Sequence, residues 1–283
     1  MNRSNNSGAA GVVAVLEVRV MDLGIEGRVA AVGGASTGLG KQIAWALARE
    51  GARVAICARD QEQLERTGLA LNRASGREIL AYPTDLATAD GPEDFVKATV
   101  KNFGKLDILV TNAGGPPATI SSKTPPDAWS EALELSLLST IRLAQAAIPY
   151  MRRNRWGRII CITSVSVKSP LPGMILSNTV RPGVVGYAKT VSQEFAQDGI
   201  TVNVVCPGYM ATDRVTELAE TRAAESGQSV DEAMAALVEN IPAGRMGDPK
   251  ELGDLVAFLA SDRAAYITGT TIQIDGGYVR GLL

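Results

Sequence analysis

The sequence has 283 residues, enough for one large domain or two small ones, with 46% hydrophobic and 20% charged residues. This composition excludes a disordered or fibrous protein, and a formal net charge of −2 argues against nucleic acid or an anionic membrane as partner. There is no histidine, which excludes Ser-His-Asp triads, HExxH zinc sites and histidine general bases. Proton transfer therefore depends on carboxylates, Lys, Tyr, Cys, hydroxyl groups or a cofactor.

The N-terminal segment is polar at first and then apolar from Gly8 to Leu16. The apolar part is too short to span a membrane, and one preceding basic residue is weak support for a signal peptide. We expect residues 1–23 to be an extension that is disordered or that precedes a true start at Met21. The folded domain is then expected over 24–283.

Short β-rich runs alternate with longer helical runs from Arg28 onward. Strands are predicted at 29–34, 53–58, 78–83, 106–114, 157–164, 201–208 and 270–277. Helices are predicted at 38–50, 60–74, 91–103, 126–153, 178–198, 214–239 and 249–260. Apolar strands separated by helices of this length are typical of a parallel sheet covered on both faces. The sequence therefore predicts a single α/β domain with a doubly wound parallel sheet, a Rossmann fold.

A charged, alanine-rich segment over 209–247 interrupts this alternation. Because it follows the carboxyl end of a predicted strand, it is expected to fold over the ligand crevice as a lid. The alternative is a solvated helical pair with no gating role.

Cys57, Cys161 and Cys206 each lie in an apolar run and are expected to be small buried residues. No pair has metal-binding spacing, so no metal site is expected. A sparse, odd number of cysteines favours a reducing compartment, which predicts a cytoplasmic protein.

A glycine-rich turn follows the first predicted strand and leads into the first predicted helix. Its residues are Gly34, Ala35, Ser36, Thr37, Gly38, Leu39 and Gly40. Glycines let the backbone approach a pyrophosphate, which the N-terminus of the next helix stabilises. In this strand–turn–helix context the turn predicts a dinucleotide site.

The spacing Gly-x-x-x-Gly-x-Gly resembles that of the short-chain dehydrogenase/reductase family, and the resemblance extends over about residues 24–281. Further family motifs follow in order: Asp85-Leu86, Asn112-Ala113-Gly114, Pro207-Gly208 and Asp275-Gly276-Gly277. The resemblance implies that the first three of these motifs bind the dinucleotide with the glycine-rich turn, and that Thr212 contacts the nicotinamide carboxamide. One departure is Gly33, where the family usually has threonine.

The end of the second predicted strand distinguishes NADP from NAD. An acidic residue there would bind the ribose 2′-hydroxyl, whereas an arginine accommodates a 2′-phosphate. Ala58 takes the acidic position and Arg59 the next, which favours NADP(H). Asp60 serving NAD is the alternative, and Lys41 is a candidate helper of Arg59.

The resemblance implies a catalytic Tyr and Lys four residues apart, a Ser that polarises the carbonyl and an Asn that holds a water relay. Ser164 falls at the serine position, but Ser177 stands in place of the tyrosine and Arg181 in place of the lysine. Ser136 stands in place of the asparagine. A serine hydroxyl is a far poorer acid than a phenol, and Arg does not release a proton as Lys can.

Other groups are candidates for the missing proton donor. Lys168 follows Ser164 by four residues in the expected loop, and Ser166 lies between them. Tyr209 follows the Pro207-Gly208 motif, near the expected nicotinamide. Tyr187 is expected to pack in the core instead. The segments Lys168-Ser169-Pro170 and Ser177-Asn178-Thr179-Val180-Arg181 resemble those of a branch of 3-oxoacyl-acyl-carrier-protein reductase-like proteins that lack the Tyr-x-x-x-Lys pair.

Three functions remain open at this stage. The first is an NADP(H)-dependent oxidoreductase in which Ser164 orients the substrate oxygen, Arg181 holds the ribose, and Ser177 or a water beside Lys168 supplies the proton. The second is a lyase, dehydratase or isomerase, and the third is an inactive NADP-binding subunit. Residues 173–176 predict an apolar wall and hence a small-molecule substrate with an apolar portion. The resemblance implies a homodimer or homotetramer assembled through 126–153 and 178–198.

Overall fold

The structure, a computed structural model, describes residues 21–282. Most of the expected N-terminal extension lies outside the described residues. Its last two residues contact the domain: the Arg263 guanidinium donates to the Asp22 carbonyl at 2.7 Å, and the Asp262 amide donates to the Leu23 carbonyl at 3.0 Å.

Seven parallel strands form one sheet in the order β3-β2-β1-β4-β5-β6-β7. The strands are β1 (Val29–Val32), β2 (Arg53–Ala58), β3 (Ile79–Pro83), β4 (Ile108–Thr111), β5 (Gly157–Ile162), β6 (Ile200–Pro207) and β7 (Thr271–Ile274). The α/β Rossmann-like fold with a doubly wound parallel sheet is confirmed. Strands β1 and β4 are buried along their whole length, as expected of strands covered on both faces of the sheet.

The helices between the strands are α1 (Gly38–Arg49), α2 (Gln61–Ser75), α3 (Gly91–Phe103), α4 (Pro126–Leu133), α5 (Ser139–Asn154), α6 (Ile175–Glu194), α7 (Asp213–Ser226), α8 (Val230–Glu239) and α9 (Pro249–Leu259). Two predicted helices are wrong as single elements. The stretch 126–153 is interrupted by a π-helical turn at Glu134–Leu138, and 214–239 is divided at Gly227. Gly227 has φ +73°, a left-handed conformation that ends α7.

Two apolar layers cover the sheet. On one face, Leu47 of α1, Leu64 of α2 and Leu252 of α9 pack together. On the other face, Phe95 of α3 and Leu143 of α5 pack with residues of α6. Each such fully buried side chain stabilises the fold by about 1.5–3 kcal/mol. The two layers hold in place the strands whose carboxyl ends form the site described below.

The strand order reverses between β1 and β4, and this switch point leaves a crevice at the carboxyl edge of the sheet, where doubly wound folds bind ligands. The glycine-rich turn leaves β1 at this edge, and Asn112 leaves β4 beside it. Ser164 follows β5, and Gly208 follows β6. Within residues 21–282, no helix is long and apolar enough to cross a bilayer.

Candidate active site

A cavity of about 300 Å³ opens at this carboxyl edge. Besides Tyr209 and Met174, fourteen of the residues singled out in the sequence line it, from the glycine-rich turn, the ends of β4, β5 and β6, and α6. They are Gly34, Thr37, Gly38, Leu39, Gly40, Asn112, Ala113, Gly114, Ser164, Ser177, Arg181, Pro207, Gly208 and Thr212. Motifs far apart in the sequence therefore meet around one space.

The glycine-rich turn has a shape that side chains would prevent. Gly34 and Gly38 have φ values of +55° and +53°, which favour glycine. A Cβ on Gly40 would collide with the Gly34 carbonyl and lie 2.8 Å from the side-chain nitrogen Nδ2 of Asn112. Thr37 precedes α1 but its side chain does not cap the helix, so N–H groups of the first turn are available to a ligand. The turn and helix N-terminus fit a pyrophosphate.

Gly33, the departure from the family pattern, is explained by close packing. A Cβ there would lie 2.7 Å from the Asn112 carbonyl oxygen and 2.9 Å from Leu86 Cδ1. The Asn112 side chain also donates to the carbonyls of Gly33 and Gly34, at 3.0 and 3.2 Å. Asn112 thereby holds the glycine-rich turn against β4.

Three predicted dinucleotide-binding residues do not line the cavity: Ser36 within the turn, Arg59 after β2 and Asp85 after β3. Arg59 is exposed directly after β2. The next residue, Asp60, caps α2 by accepting the Gln63 amide at 3.0 Å. The Ser36 carbonyl accepts the Thr67 hydroxyl at 2.7 Å, and the Asp85 carboxylate accepts the Ala87 amide at 2.9 Å.

Three serines meet where β5 ends and α6 begins. The hydroxyl of Ser177 lies 3.1 Å from that of Ser166, and both residues are buried. The Ser164 hydroxyl oxygen accepts the Ser166 amide at 3.1 Å. That bond leaves the Ser164 O–H proton for another acceptor. Since Ser164 and Ser177 both line the cavity, a bound carbonyl oxygen can meet hydroxyl donors here.

Arg181 points back from α6 to the end of β5, where its Nη1 donates to the Thr163 carbonyl at 3.0 Å. Burial lowers the pKa of Arg181 to about 10, so the guanidinium is still protonated at neutral pH. Its Nε atom and the Ser136 hydroxyl are both buried and have no hydrogen-bond partner within the described residues.

Both orphaned atoms belong to residues lining a second, small cavity of about 10 Å³, which Leu86 and Asn112 also line. That volume is close to the least that a single water needs, and buried polar atoms without partners are the usual sites of such waters. Ser136 lies in the π-helical turn between α4 and α5, which aims it at this cavity.

The alternative proton donors occupy different places. Lys168 is half-buried at the end of a 3-10 turn and does not line the cavity. Burial raises the pKa of Cys206, and the positive charges of Lys168 and Arg181 offset part of that rise. Tyr187 packs in the core with its hydroxyl 3.5 Å from the Ile141 carbonyl, and burial raises its pKa to about 12. Tyr209 lines the cavity, its ring edge-on to that of Tyr278 at 5.4 Å.

The apolar wall predicted over 173–176 is only partly correct. Met174 lines the cavity, but Leu176 points away from it and packs against Ala132 and Val180. Further apolar lining comes from residues that were not predicted, among them Val165, Leu171, Val215 and Leu218.

Arg214 was missed in the sequence. It stands in the first turn of α7, lines the cavity, and donates from Nη2 to the Pro116 carbonyl at 2.9 Å. It thus joins the segment after β6 to the loop after β4. Its position two residues after Thr212 was a weak signal, because only the folded chain shows Pro116 beside it.

Several known proteins that resemble this chain in sequence and in fold are reductases by name, and some of the similar structures contain NADPH. The enoyl-(acyl carrier protein) reductase family pattern matches residues 34–279. The 3-oxoacyl-[acyl-carrier-protein] reductase FabG of Escherichia coli is 36% identical over 255 residues, 90% of this chain and 98% of FabG. The chain belongs to the short-chain dehydrogenase/reductase family. It is therefore an oxidoreductase of that family.

Solved structures of short-chain reductases superpose on nearly the whole chain. The L-sorbose reductase of Gluconobacter frateurii, complexed with NADPH and L-sorbose, has a TM-score of 0.88 at 31% identity and covers 93% of this chain and all of its own. A variant of actinorhodin polyketide ketoreductase with NADPH has a TM-score of 0.85 at 32% identity, covering 89% of this chain and 97% of its own.

Proposed function

We propose that this protein is an NADP(H)-dependent oxidoreductase that interconverts a carbonyl and an alcohol through a proton relay built from serines. The observation that carries the proposal is the continuity of one cavity, from the glycine-rich turn to Ser164, Ser177 and Arg181. A dinucleotide held at the turn would place its reactive end among these three side chains. The substrate is a small molecule with an apolar portion, because Met174 and Leu171 line the same space.

The choice of NADP(H) rests on the end of β2. Asp60 is engaged as the cap of α2, which leaves it poorly suited to bind a ribose hydroxyl. Arg59 stands exposed beside it, and a guanidinium suits a 2′-phosphate. The E. coli relative is named a reductase and two similar structures contain NADPH, which further supports this choice. When bound, NADPH supplies a hydride.

The chain's own residues manage the proton. Ser177 and Arg181 occupy the positions of the tyrosine and lysine in the family pattern. Ser164 donates its hydroxyl to the substrate oxygen, while Ser177 donates its proton to the same oxygen. Ser166 passes its own proton to Ser177 across their 3.1 Å contact and takes one in turn from a water beside Lys168. Arg181 stays protonated, holds the ribose and stabilises developing negative charge on the oxygen. A water in the small cavity bonds Ser136 and Arg181 Nε.

This relay is expected to be slow. A serine hydroxyl does not hold a negative charge near neutral pH, so the proton must move in concert along the relay. Loss of a tuned general acid typically costs on the order of 10²–10⁴ in rate. Lys168 serves only through a water, since it does not reach the cavity directly.

Three further features complete the proposal. Residues 209–247 act as a lid over the cavity, in a domain spanning 24–283, with Arg214 as its contact to the loop after β4. The protein assembles as a homodimer or homotetramer through α5 and α6. It works in the cytoplasm and binds neither nucleic acid nor membrane.

The test is steady-state NADPH oxidation over a panel of ketones, oxo acids and 3-oxoacyl thioesters, with NADPH affinity measured separately by fluorescence. Slow but saturable oxidation of at least one compound is expected. Tight NADPH binding without oxidation of any compound would overturn the proposal. Substrate conversion without a change in nicotinamide absorbance would point instead to a lyase, dehydratase or isomerase. A mixed oligomer whose assembly responds to NADPH would point to an inactive subunit.

A further inference from the structure

Two guanidinium groups meet in the cavity beside Gly115. The position that a Cβ on Gly115 would occupy is 3.8 Å from Nη2 of Arg181 and 3.8 Å from Nε of Arg214. Within the part of the chain that the structure describes, no heavy atom beyond those of Gly115 and its two sequence neighbours comes nearer to that position. The glycine therefore leaves a space, open to the cavity, that two positive groups flank.

The positive charge at this space is poorly balanced by the protein. Burial is the main cause of the lowered pKa of Arg181, and the like charge of Arg214 adds to the lowering. The carboxylate paired with Arg214 is Glu217, at 3.3 Å, and both side chains are about half exposed or more, so the pair is weak. Asp213 also lines the cavity but is exposed. An anion between the two arginines would relieve the repulsion.

The space lies away from the residues that cradle the dinucleotide phosphates. The methyl group of Thr212 is 3.9 Å from the position of a Cβ on Gly38, so the start of α7 contacts the glycine-rich turn there. Arg214, two residues later, instead contacts Pro116 in the loop after β4. Arg181 reaches the same loop from α6, the helix that also carries Ser177. The arginine pair thus lies away from the phosphates, where Arg181 faces both the ribose that it is proposed to hold and the substrate.

We propose that Arg181 and Arg214 together bind a carboxylate of the substrate, which makes the substrate an oxo acid or hydroxy acid with an apolar portion. This inference rests on the proposed function for the reacting carbon, but the anion site itself does not. Arginine suits the role because its planar fork donates two parallel hydrogen bonds to a carboxylate. Arg214 is then a specificity residue that belongs to the lid, so that acid binding also fastens the lid to the loop after β4.

The test uses three oxo acids that differ in spacing, 2-oxohexanoate, 4-oxohexanoate and 5-oxohexanoate, each with its methyl ester. Binding to the NADPH-loaded protein is measured by calorimetry, and NADPH oxidation is measured in parallel. At least one acid is expected to bind roughly 10- to 100-fold more tightly than its ester.

Matched variants test whether the preference for the acid over its ester depends on Arg214. Arg214→Met keeps an unbranched chain without the charge and is expected to abolish the preference, while Arg214→Lys restores part of it. Gly115→Ala fills the space without strain, because φ at this glycine is not positive, and is expected to weaken acid binding alone. Arg66→Met, which removes one charge from the exposed surface of α2, is the control and keeps the preference.

Two results overturn the inference. One is that no acid binds more tightly than its ester. The other is that Arg214→Met weakens NADPH binding as much as acid binding, which would assign Arg214 to the dinucleotide phosphates. If an acid binds with the expected dependence on Arg214 but no NADPH is oxidised, the anion site stands and the proposed oxidoreductase function fails.

Discussion

The hydroxyl of Ser177 lies 3.1 Å from that of Ser166, with both side chains enclosed between the end of β5 and α6. The pair joins a buried hydroxyl to one that lines the cavity. Because aliphatic hydroxyls are weak acids, this contact makes proton transfer the slow part of the proposed reaction. The contact also defines where a better acid could be introduced.

The double variant Ser177→Tyr/Arg181→Lys is expected to raise the rate of NADPH oxidation by roughly 10²-fold or more, because a phenol beside an ammonium group is a tuned general acid. The larger ring is expected to cost about 1–3 kcal/mol of folding stability, since Ser177 is buried. Stopped-flow kinetics and thermal unfolding measure the two effects. Ser177→Tyr alone is the control. No gain in the well-folded double variant would show that more than the proton donor is altered.

Arg59→Ala is expected to weaken NADPH binding by roughly 10- to 100-fold and to leave NADH binding nearly unchanged, since the arginine is proposed to pair with the 2′-phosphate alone. Fluorescence titration with both dinucleotides gives the ratio. Arg73→Ala, at another exposed arginine near the end of α2, should change neither affinity. An equal loss for both dinucleotides would contradict the role given to Arg59.

Gly40→Ala is expected to abolish measurable dinucleotide binding and to cost about 1–3 kcal/mol of stability, because the new methyl group would strike the Gly34 carbonyl and force the turn open. Gly186→Ala is the matched control. It lies in α6, and among the described residues nothing beyond its own helical backbone lies within 4 Å of the new methyl, so the change should stabilise the protein by about 0.5–1 kcal/mol. Retention of full NADPH affinity in Gly40→Ala would show that the turn is not the phosphate cradle.

Glu251 gives the protein a pH-dependent contribution to stability. Hydrogen bonds from Arg245, at 2.6 Å, and from the Asp248 amide, at 2.8 Å, lower the pKa of Glu251 to about 2. The group therefore stabilises the fold fully above its ordinary pKa of 4.5, and this contribution is lost as pH falls toward about 2. The contribution is carried by α9, which packs against α1.

Glu251→Gln is expected to lower the urea midpoint at pH 6, while keeping the side-chain hydrogen bond to the Asp248 amide. The difference between the variant and the parent protein should shrink steadily as the pH falls from 5 to 3, because the unfolded parent takes up a proton on Glu251 below its ordinary pKa while the folded parent keeps the charge down to about pH 2. Urea titrations across that range measure it. A difference that stays constant with pH would mean that packing, and not charge, is responsible.

Local signals predicted much of the fold. The bounds of β2 and α3 match residue for residue, because Pro92 at the start and Gly104 at the end punctuate α3. The division of the lid into α7 and α8 was not predicted, although Ser229 and Glu232, which form a capping box, were a local signal for it. The interruption at 134–138 was not predicted either, since no glycine or proline marks it and the turn depends on packing against α6.

The site was predictable only where a motif carried it. The glycine-rich turn, Asn112 and the residues after β5 and β6 converge because they follow adjacent parallel strands. Arg214 and Gly115 meet only when the lid folds back on the loop after β4, and no spacing rule connects the two positions. The departure at Gly33 was visible in the sequence, but its reason, the closeness of Leu86 and Asn112, was not.

The π-helical turn at Glu134–Leu138 changes the phase of the chain between α4 and α5. Such a turn accommodates one residue more than regular α-helical geometry, so each position after it is rotated by about 100° relative to an uninterrupted helix. Deleting one residue here would restore regular winding and turn Ser136 away from Arg181. The small cavity therefore depends on the extra residue in this turn. A similar helix without that residue would not place the same side chain beside Arg181.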